Sequence, residues 1–125
     1  MGLFDSFLSN NSSDWPGPKL ENIDQLNTIV ETSFLKPQLI FKHSTRCSVS
    51  RFVLNEFKSG YSFSEVDFTT YFLDLLSYRE ISNAVAHQFN VVHQSPQLLV
   101  IKNGKAMAHA SHDNINKVEL TNYLF

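Results

Sequence analysis

The chain has 125 residues, of which 42% are hydrophobic and 18% charged, and its formal net charge at pH 7 is −2. This length suits one domain with a sizeable core, and the absence of a basic run argues against a nucleic-acid partner. A single cysteine excludes an internal disulfide and a cysteine-rich zinc site, and it favours a reducing, cytoplasmic compartment. The sequence has no secretory signal pattern and no apolar run of membrane-spanning length, so no membrane partner is expected.

Residues 1–19 are predicted to form an N-terminal tail, and residues 20–125 a single domain. The tail has an apolar start, a polar tract over 9–14, and then Trp15 in a segment rich in proline and glycine. This composition is not typical of a second domain, and Trp15 is expected to attach the tail to the domain. The apolar start is expected either to pack in a groove or to dock a small partner.

Apolar residues at three- and four-residue spacing predict the first two helices. One helix spans about 22–34, is capped by Asn22 and is ended by Pro37. The next begins near Cys47, after the capping hydroxyls of the Ser44-Thr45 pair, and ends at a glycine. Its inner face is expected to consist of Val49, Phe52, Val53 and Phe57.

Two further helices are predicted in the second half of the chain. The segment Ser77-Tyr78-Arg79-Glu80 has the pattern of a capping box and begins a helix that extends to about Phe89. A last helix is expected to be capped by Asp113 or Asn114. Its inward-facing residues would be Ile115, Val118 and Tyr123.

Short runs of strand-forming residues separate these helices, at 38–41, 68–73 and 98–101. The pair Asn103-Gly104 predicts a hairpin whose second strand covers 105–110. Since the first strands alternate with helices, we expect parallel pairing through right-handed crossovers, with the hairpin adding an antiparallel edge. The predicted fold class is α/β: a single-domain thioredoxin-like fold, with a mixed sheet of about four strands flanked by helices and a C-terminal hairpin and helix.

Cys47 lies between the strand that ends at Phe41 and the second predicted helix. Parallel α/β proteins keep their chemistry in loops at the carboxyl ends of strands. In the first turn of a helix, free backbone N–H groups favour the thiolate, which is the nucleophilic form of cysteine. Cys47 is therefore the candidate nucleophile. The alternative is a buried structural cysteine that behaves as a small hydrophobic residue.

The residues around Cys47 have ordinary interpretations as well as functional ones. Thr45 is most simply a helix cap, and Arg46 either stabilises the thiolate by its charge or is solvated. Ser50 is either functional or a first-turn residue that bonds to the backbone. No carboxylate or second thiol completes a metal-ligand pattern with the histidines, so no metal and no cofactor are expected. These histidines are His43, His87, His93, His109 and His112.

Four local motifs match one family in order along the chain. They are Lys42-His43-Ser44-Thr45-Arg46-Cys47-Ser48-Val49-Ser50, Arg79-Glu80-Ile81-Ser82-Asn83, His93-Gln94-Ser95-Pro96-Gln97 and Ala110-Ser111-His112. Together they resemble the YtxJ-type monothiol bacilliredoxins, which are thioredoxin-fold proteins linked to the low-molecular-weight thiol bacillithiol. The resemblance covers about residues 20–115.

The resemblance implies thiol exchange: Cys47 would attack a mixed disulfide between a protein and bacillithiol, take the small thiol and release the repaired protein. Ser50 corresponds to the resolving cysteine of dithiol relatives, so a second thiol or a reductase would regenerate Cys47. Cys47 and Ser50 are thus the candidate catalytic residues. Pro96 corresponds to the cis-proline of thioredoxin folds, with a trans proline that opens an edge strand as the alternative. The candidate substrate-binding residues are Thr45, Arg46, Ser48, Ser95, whose backbone would pair with the substrate, and Pro96.

This sequence departs from the family pattern, with Arg46 before the cysteine and Ser48 in place of proline, which would preorganise the helix start. The second departure and the absent second cysteine leave open a redox-inactive binding module. A third interpretation is iron–sulfur handling, as in monothiol glutaredoxins, although the glycine of their Cys-Gly-Phe-Ser site is missing. The expected partners are proteins carrying mixed disulfides and bacillithiol or a similar thiol, and the chain is expected to be a monomer.

Overall fold

A computed structural model describes residues 15–125, so residues 1–14 of the predicted tail lie outside the described part of the chain. Helices and strands alternate and are followed by a hairpin, and the predicted α/β thioredoxin-like architecture is confirmed. The elements are α1 (Asp24–Thr32), β1 (Gln38–His43), α2 (Ser48–Gly60), β2 (Thr69–Asp74), α3 (Arg79–Phe89), β3 (Gln97–Lys102), β4 (Lys105–Ser111) and two 3-10 turns, His112–Lys117 and Leu120–Tyr123.

The strands form one mixed sheet in the order β2-β1-β3-β4. β1 and β2 are parallel, as predicted, whereas β3 runs antiparallel to β1 and β4 antiparallel to β3. Gln97, which begins β3, pairs with Lys42 near the end of β1. Residues 90–96 lead from α3 back to this end of the sheet without regular structure. The path of this loop cannot be predicted from helical periodicity. The alternation of strands and helices therefore does not by itself predict the direction of β3.

Every residue of β1 is buried, as expected for a strand covered on both faces. Side chains alternate along a strand, so β1 contributes to two cores. Ile40 packs in one core with residues of α1 and α3, while Leu39 and Phe41 pack in the other with residues of α2. By the same alternation, Lys42 faces α3 and His43 faces α2.

α2 begins after Cys47 and ends at Gly60, as predicted, but part of its predicted inner face is wrong. Val49 and Phe52 are 52% and 64% exposed. The buried stripe has the spacing of one helix face and consists of Ser50, Val53, Leu54 and Phe57. Since a serine occupies the first position of this stripe, a search for apolar residues assigns the face incorrectly.

The helix caps are partly as predicted. Asn22 Oδ1 accepts a hydrogen bond from the Gln25 backbone N–H at 3.1 Å, and Gln25 Oε1 accepts one from the Asn22 N–H at 3.0 Å. The predicted capping box of α3 is wrong, because Ser77 Oγ instead donates to Asp74 Oδ2 at 3.0 Å. Within the described residues, no side chain caps α3. The serine side chain is thus held by the Asp74 carboxylate at the end of β2.

The turn between β3 and β4 consists of Asn103 and Gly104, as predicted. Their φ angles of 56° and 78° are both positive, as a two-residue hairpin of type I′ requires. The Gly104 N–H also donates to Ser33 Oγ at 2.8 Å, which attaches the hairpin to the end of α1.

Helical structure follows the hairpin, as predicted, but it consists of two short 3-10 helices instead of one continuous helix. Val118 between them has extended backbone angles, φ −72° and ψ 128°, and this interrupts helical propagation. Ile115 is buried as expected, whereas Val118 and Tyr123 are only half-buried. Apolar spacing identified the buried residue but not the type of turn.

Trp15 attaches the start of the described chain to the domain. Its ring lies 5.8 Å from that of Phe57 and 5.7 Å from that of Phe41, and its Nε1 donates to the Thr70 carbonyl at 3.1 Å. These contacts agree with the role predicted for Trp15, while the division into 1–19 and 20–125 stays a prediction. None of the helices in residues 15–125 is both long enough and apolar enough to cross a membrane.

Candidate active site

Cys47 is the N-cap residue of α2, with φ −107° and ψ 119°. Its backbone N–H donates to the Ser44 carbonyl at 3.2 Å, which closes a turn between β1 and α2. The cysteine is free and partly exposed. The cysteine therefore lies at the N-terminal end of a 13-residue helix.

Three of the candidate substrate-binding residues flank Cys47 and are exposed. Thr45 and Arg46 form the corner of the turn, and Ser48 is the first residue of α2. The prediction that hydroxyls of the Ser44-Thr45 pair cap the helix is wrong, because no side-chain hydrogen bond caps α2 within residues 15–125. The turn closes instead through the backbone bond from Cys47, which leaves the Thr45 side chain at the surface.

Ser50, the other candidate catalytic residue, is completely buried, with 0% exposure. Its Oγ lies 2.8 Å from His43 Nδ1 and accepts a hydrogen bond from the Ser44 N–H at 3.1 Å. His43 is the last residue of β1 and is 5% exposed. The hydroxyl thus joins the end of β1 to the first turn of α2, on the inner side of the turn that carries Cys47.

The charge state of His43 follows from its surroundings. Burial lowers the pKa of His43 below its ordinary value, Asp74 raises it, and the cations Arg51 and Lys58 lower it. The net shift is downward, so the neutral imidazole is favoured near pH 7. A neutral imidazole has one donor and one acceptor nitrogen, and the bond between Nδ1 and Ser50 can therefore run in either direction.

The last two candidate residues lie at the same end of the sheet. The peptide bond between Ser95 and Pro96 is cis. The next residue, Gln97, pairs with Lys42, so this bond adjoins the end of β1 from which the chain continues to Cys47. Ser95 Oγ is buried and has no hydrogen-bond partner among the described residues. The topology thus places the cysteine turn and the Ser95–Pro96 segment at the same end of the sheet.

Sequence reasoning missed a second polar cluster, centred on Lys42. This side chain is 0% exposed; its Nζ donates to the Ser82 carbonyl at 3.3 Å and lies 3.2 Å from His93 Nδ1. Burial lowers the pKa of Lys42 to about 8. Burial also lowers the pKa of His93, and the charges of Lys42 and Arg79 act in the same direction. The available signal was a lysine directly after a strand predicted to be buried on both faces.

Among residues 15–125, no metal-binding cluster coincides with this site, and a groove beside α2 lies elsewhere. Residues 15–125 contain no group of three or more His, Cys, Asp or Glu side chains that could hold a metal ion. A groove of about 690 Å³ lies between the end of α2 and the 3-10 turns, and Cys47 does not line it. The partly exposed Cys47 thus lies outside this groove.

Fold and site define a class: a thioredoxin-fold thiol-redox protein with one cysteine at the N-terminus of a helix. The family model described as monothiol bacilliredoxin BrxC matches residues 18–120. The chain belongs to this family.

Solved structures agree with this assignment. A candidate oxidoreductase with a thioredoxin fold is 30% identical, the match covers 86% of this chain and 93% of that chain, and the TM-score is 0.72. Malassezia sympodialis thioredoxin is 16% identical, with 86% and 90% covered and a TM-score of 0.68. The Schistosoma mansoni thioredoxin pre-protein is 19% identical, with 86% and 97% covered and a TM-score of 0.61. The two thioredoxins show the fold alone, while the family and the first structure support a thiol-redox role.

Proposed function

We propose that this protein is a monothiol thiol–disulfide oxidoreductase that removes bacillithiol, or a similar low-molecular-weight thiol, from protein mixed disulfides. The observation that carries the proposal is the free, partly exposed Cys47 at the start of α2, at the end of the sheet where the Ser95–Pro96 bond also lies. Membership of the bacilliredoxin family supports the choice of small thiol.

The reaction has two exchange steps. In the first step, the Cys47 thiolate attacks the small-thiol sulfur of the mixed disulfide and forms a disulfide with it. The sulfur of the substrate protein leaves as a thiolate and takes a proton from water. A second small thiol, as its thiolate, then attacks the adduct and releases a symmetrical small-thiol disulfide and the Cys47 thiolate. The substrate protein thereby regains its free thiol, and two small-thiol molecules are joined in one disulfide.

Ser50 explains why the second thiol is needed. It has the spacing from Cys47 that a Cys-x-x-Cys motif gives its second cysteine, but a hydroxyl cannot form a disulfide. Cys47 is the single cysteine of the chain, so no internal thiol competes for the adduct. The adduct is therefore expected to persist until an external thiol arrives.

The residues around Cys47 suit a protein substrate. The exposed side chains of Thr45, Arg46 and Ser48 are available for contacts. The Ser95 backbone is proposed to pair with an extended substrate segment. The exposed side chains of Val49 and Phe52 lie on the same helix and supply apolar surface. A monomeric state and a cytoplasmic location are part of the proposal.

The test is the intact mass of the reduced protein after exposure to a protein–bacillithiol mixed disulfide. We expect a gain of one small-thiol unit and release of the substrate thiol, both absent in Cys47→Ala. Matched glutathione and coenzyme A disulfides measure selectivity, and equal rates with all three would contradict bacillithiol as the preferred thiol. A folded wild-type protein that forms no adduct would instead favour the redox-inactive binding module.

A further inference from the structure

The Ser50 hydroxyl has a limited number of hydrogen-bonding positions: one hydrogen to donate and two lone pairs to accept. The Ser44 N–H uses one lone pair at 3.1 Å. His43 Nδ1 lies 2.8 Å from the Ser50 oxygen. It either accepts the hydroxyl hydrogen or donates its own hydrogen to the second lone pair. The protonation of Nδ1 decides which of the two occurs.

The two states of Nδ1 leave Ser50 with different capacities. When Nδ1 is bare, the hydroxyl hydrogen is held by His43. When Nδ1 carries a proton, both lone pairs of the oxygen are in use and the hydrogen is released. Ser50 is the third residue of α2, and Cys47 is the N-cap residue of this helix, with extended backbone angles. The side chain of an N-cap residue ordinarily lies near the backbone of the second and third helical residues. Ser50 and Cys47 are therefore neighbours at the start of α2.

We propose that His43 is a positioning residue for thiol exchange at Cys47, acting through Ser50: a proton on His43 Nδ1 turns the Ser50 hydroxyl hydrogen toward the Cys47 sulfur. The inference rests on the proposed function, in which Cys47 is the exchanging thiol. By linkage the effect is reciprocal, so a thiolate at Cys47 favours protonated His43.

The surroundings of His43 determine when this coupling operates. The charged groups that face it are Asp74 at the end of β2 and the α2 residues Arg51 and Lys58. The coupling applies to the neutral tautomer of His43 that carries its hydrogen on Nε2, because Nδ1 then gains a proton only in the imidazolium. Since burial disfavours the imidazolium, that proton is favoured chiefly when a negative sulfur compensates for it. Such a sulfur develops in the second exchange step, in which Cys47 is the leaving group. That step is the one expected to depend on His43.

The direct test follows the imidazole nitrogens of the full chain by NMR as the pH is varied, with His43→Asn used to assign the signal. Blocking Cys47 with iodoacetamide, which leaves an uncharged adduct, is expected to lower the proton affinity of His43 about tenfold, as for one hydrogen bond to a charged group. In Ser50→Ala, blocking is expected to have little effect. No change on blocking the wild type, or an equal change in Ser50→Ala, would overturn the proposal.

Kinetics supply a second readout. The rate at which an external thiol clears the Cys47 adduct is expected to show an inflection where His43 titrates. His43→Asn keeps a partner for the Ser50 hydroxyl but does not titrate, so the inflection should vanish, and its persistence would overturn the proposal. If Ser50→Ala fails to fold, the proposal is still tested by the kinetics of His43→Asn and by the NMR titration of the wild type before and after blocking. The iodoacetamide experiment needs no disulfide substrate, so a failure of the proposed function is distinguishable from a failure of this inference.

Discussion

Lys42 Nζ lies 3.2 Å from His93 Nδ1, inside the protein and at the end of the sheet that carries the candidate site. Lys42 belongs to the strand that precedes the cysteine turn, and His93 to the segment that leads to Ser95. The lysine also donates to the Ser82 carbonyl of α3 at 3.3 Å. A buried cation thus connects the two chain segments of the site from the core side.

The first prediction is that Lys42→Met makes the protein more stable at pH 7. Among residues 15–125 no carboxylate forms an ion pair with Lys42, so its charge is buried without compensation. Replacing a buried charge by an apolar side chain of similar length is expected to raise the free energy of unfolding by about 1–3 kcal/mol. Urea denaturation measures this, with the exposed Lys105→Met as matched control. A loss of stability would show that the hydrogen bonds to Ser82 and His93 outweigh desolvation.

The second prediction concerns the alkaline pH dependence of stability. Folding lowers the pKa of Lys42 from 10.5 to about 8, so between these values the unfolded chain holds a proton that the folded chain has lost. This contribution makes the free energy of unfolding rise with pH across that window, by at most about 1.4 kcal/mol per pH unit. Tyr61 and Tyr71, whose pKa values burial raises, oppose the rise as the unfolded tyrosines ionise near the top of the window.

The measurement for this second prediction is urea denaturation at a series of pH values in the wild type and in Lys42→Met. Both proteins contain the two tyrosines, so the difference between the two curves isolates the lysine. The stability advantage of Lys42→Met should shrink as the pH rises from 8 toward 10.5. A difference that does not change with pH would mean that the pKa of Lys42 is not lowered by folding.

The third prediction is that Ser50→Cys forms an internal disulfide with Cys47, because the two positions have the spacing of a Cys-x-x-Cys motif. Oxidised protein should lose two hydrogens in mass, and a small-thiol adduct on Cys47 should clear without external thiol. Ser59→Cys is the control, since Ser59 is exposed near the other end of α2 and too distant to pair. Persistence of the adduct in Ser50→Cys would show that the buried position keeps its side chain away from Cys47.

The fourth prediction is that Ser48→Pro stabilises the protein. Ser48 is exposed at the first position of α2, where proline is favoured. The preceding Cys47, with φ −107° and ψ 119°, already has the extended conformation that a following proline requires. We expect a gain of about 0.4–1 kcal/mol in the free energy of unfolding, with thiol exchange retained.

Thermal denaturation measures the effect of Ser48→Pro. Ser59→Pro, near the end of the same helix, is the control and should destabilise by about 3 kcal/mol because it removes a helical hydrogen bond. A loss of stability in Ser48→Pro would mean that the start of α2 does not have the conformation described.

The sequence predicted those parts of the fold that depend on neighbouring residues. Asn103 and Gly104 specify their turn by backbone preference alone, and the apolar run around Ile40 specifies a buried strand. The errors arise where a distant or polar group intervenes. Ser77 binds Asp74 instead of capping α3, and the antiparallel direction of β3 depends on the path of the loop before it.

The candidate site shows the same difference between local signals and distant contacts. Cys47 was found from its place between a strand and a helix, which is a local signal. The pairing of His43 with Ser50 was not found, because it depends on which face of β1 each residue occupies and on a serine in a buried helix stripe. The contact between Lys42 and His93 joins residues 51 positions apart, and no single-sequence pattern reports it.

The segment that follows Trp15 also protects an exposed edge. β2 is the outer strand of the sheet, and Phe72 in its middle directs its N–H and C=O outward. Pro18 accepts that N–H at 3.0 Å, and the Leu20 N–H donates to that carbonyl at 2.8 Å. Unpaired strand edges recruit other strands, so a chain shortened to begin after Leu20 would offer this edge to a second molecule. The segment therefore acts against self-association. Its removal, which also takes Leu20 from one core and Trp15 from the other, is expected to produce edge-to-edge dimers or aggregates.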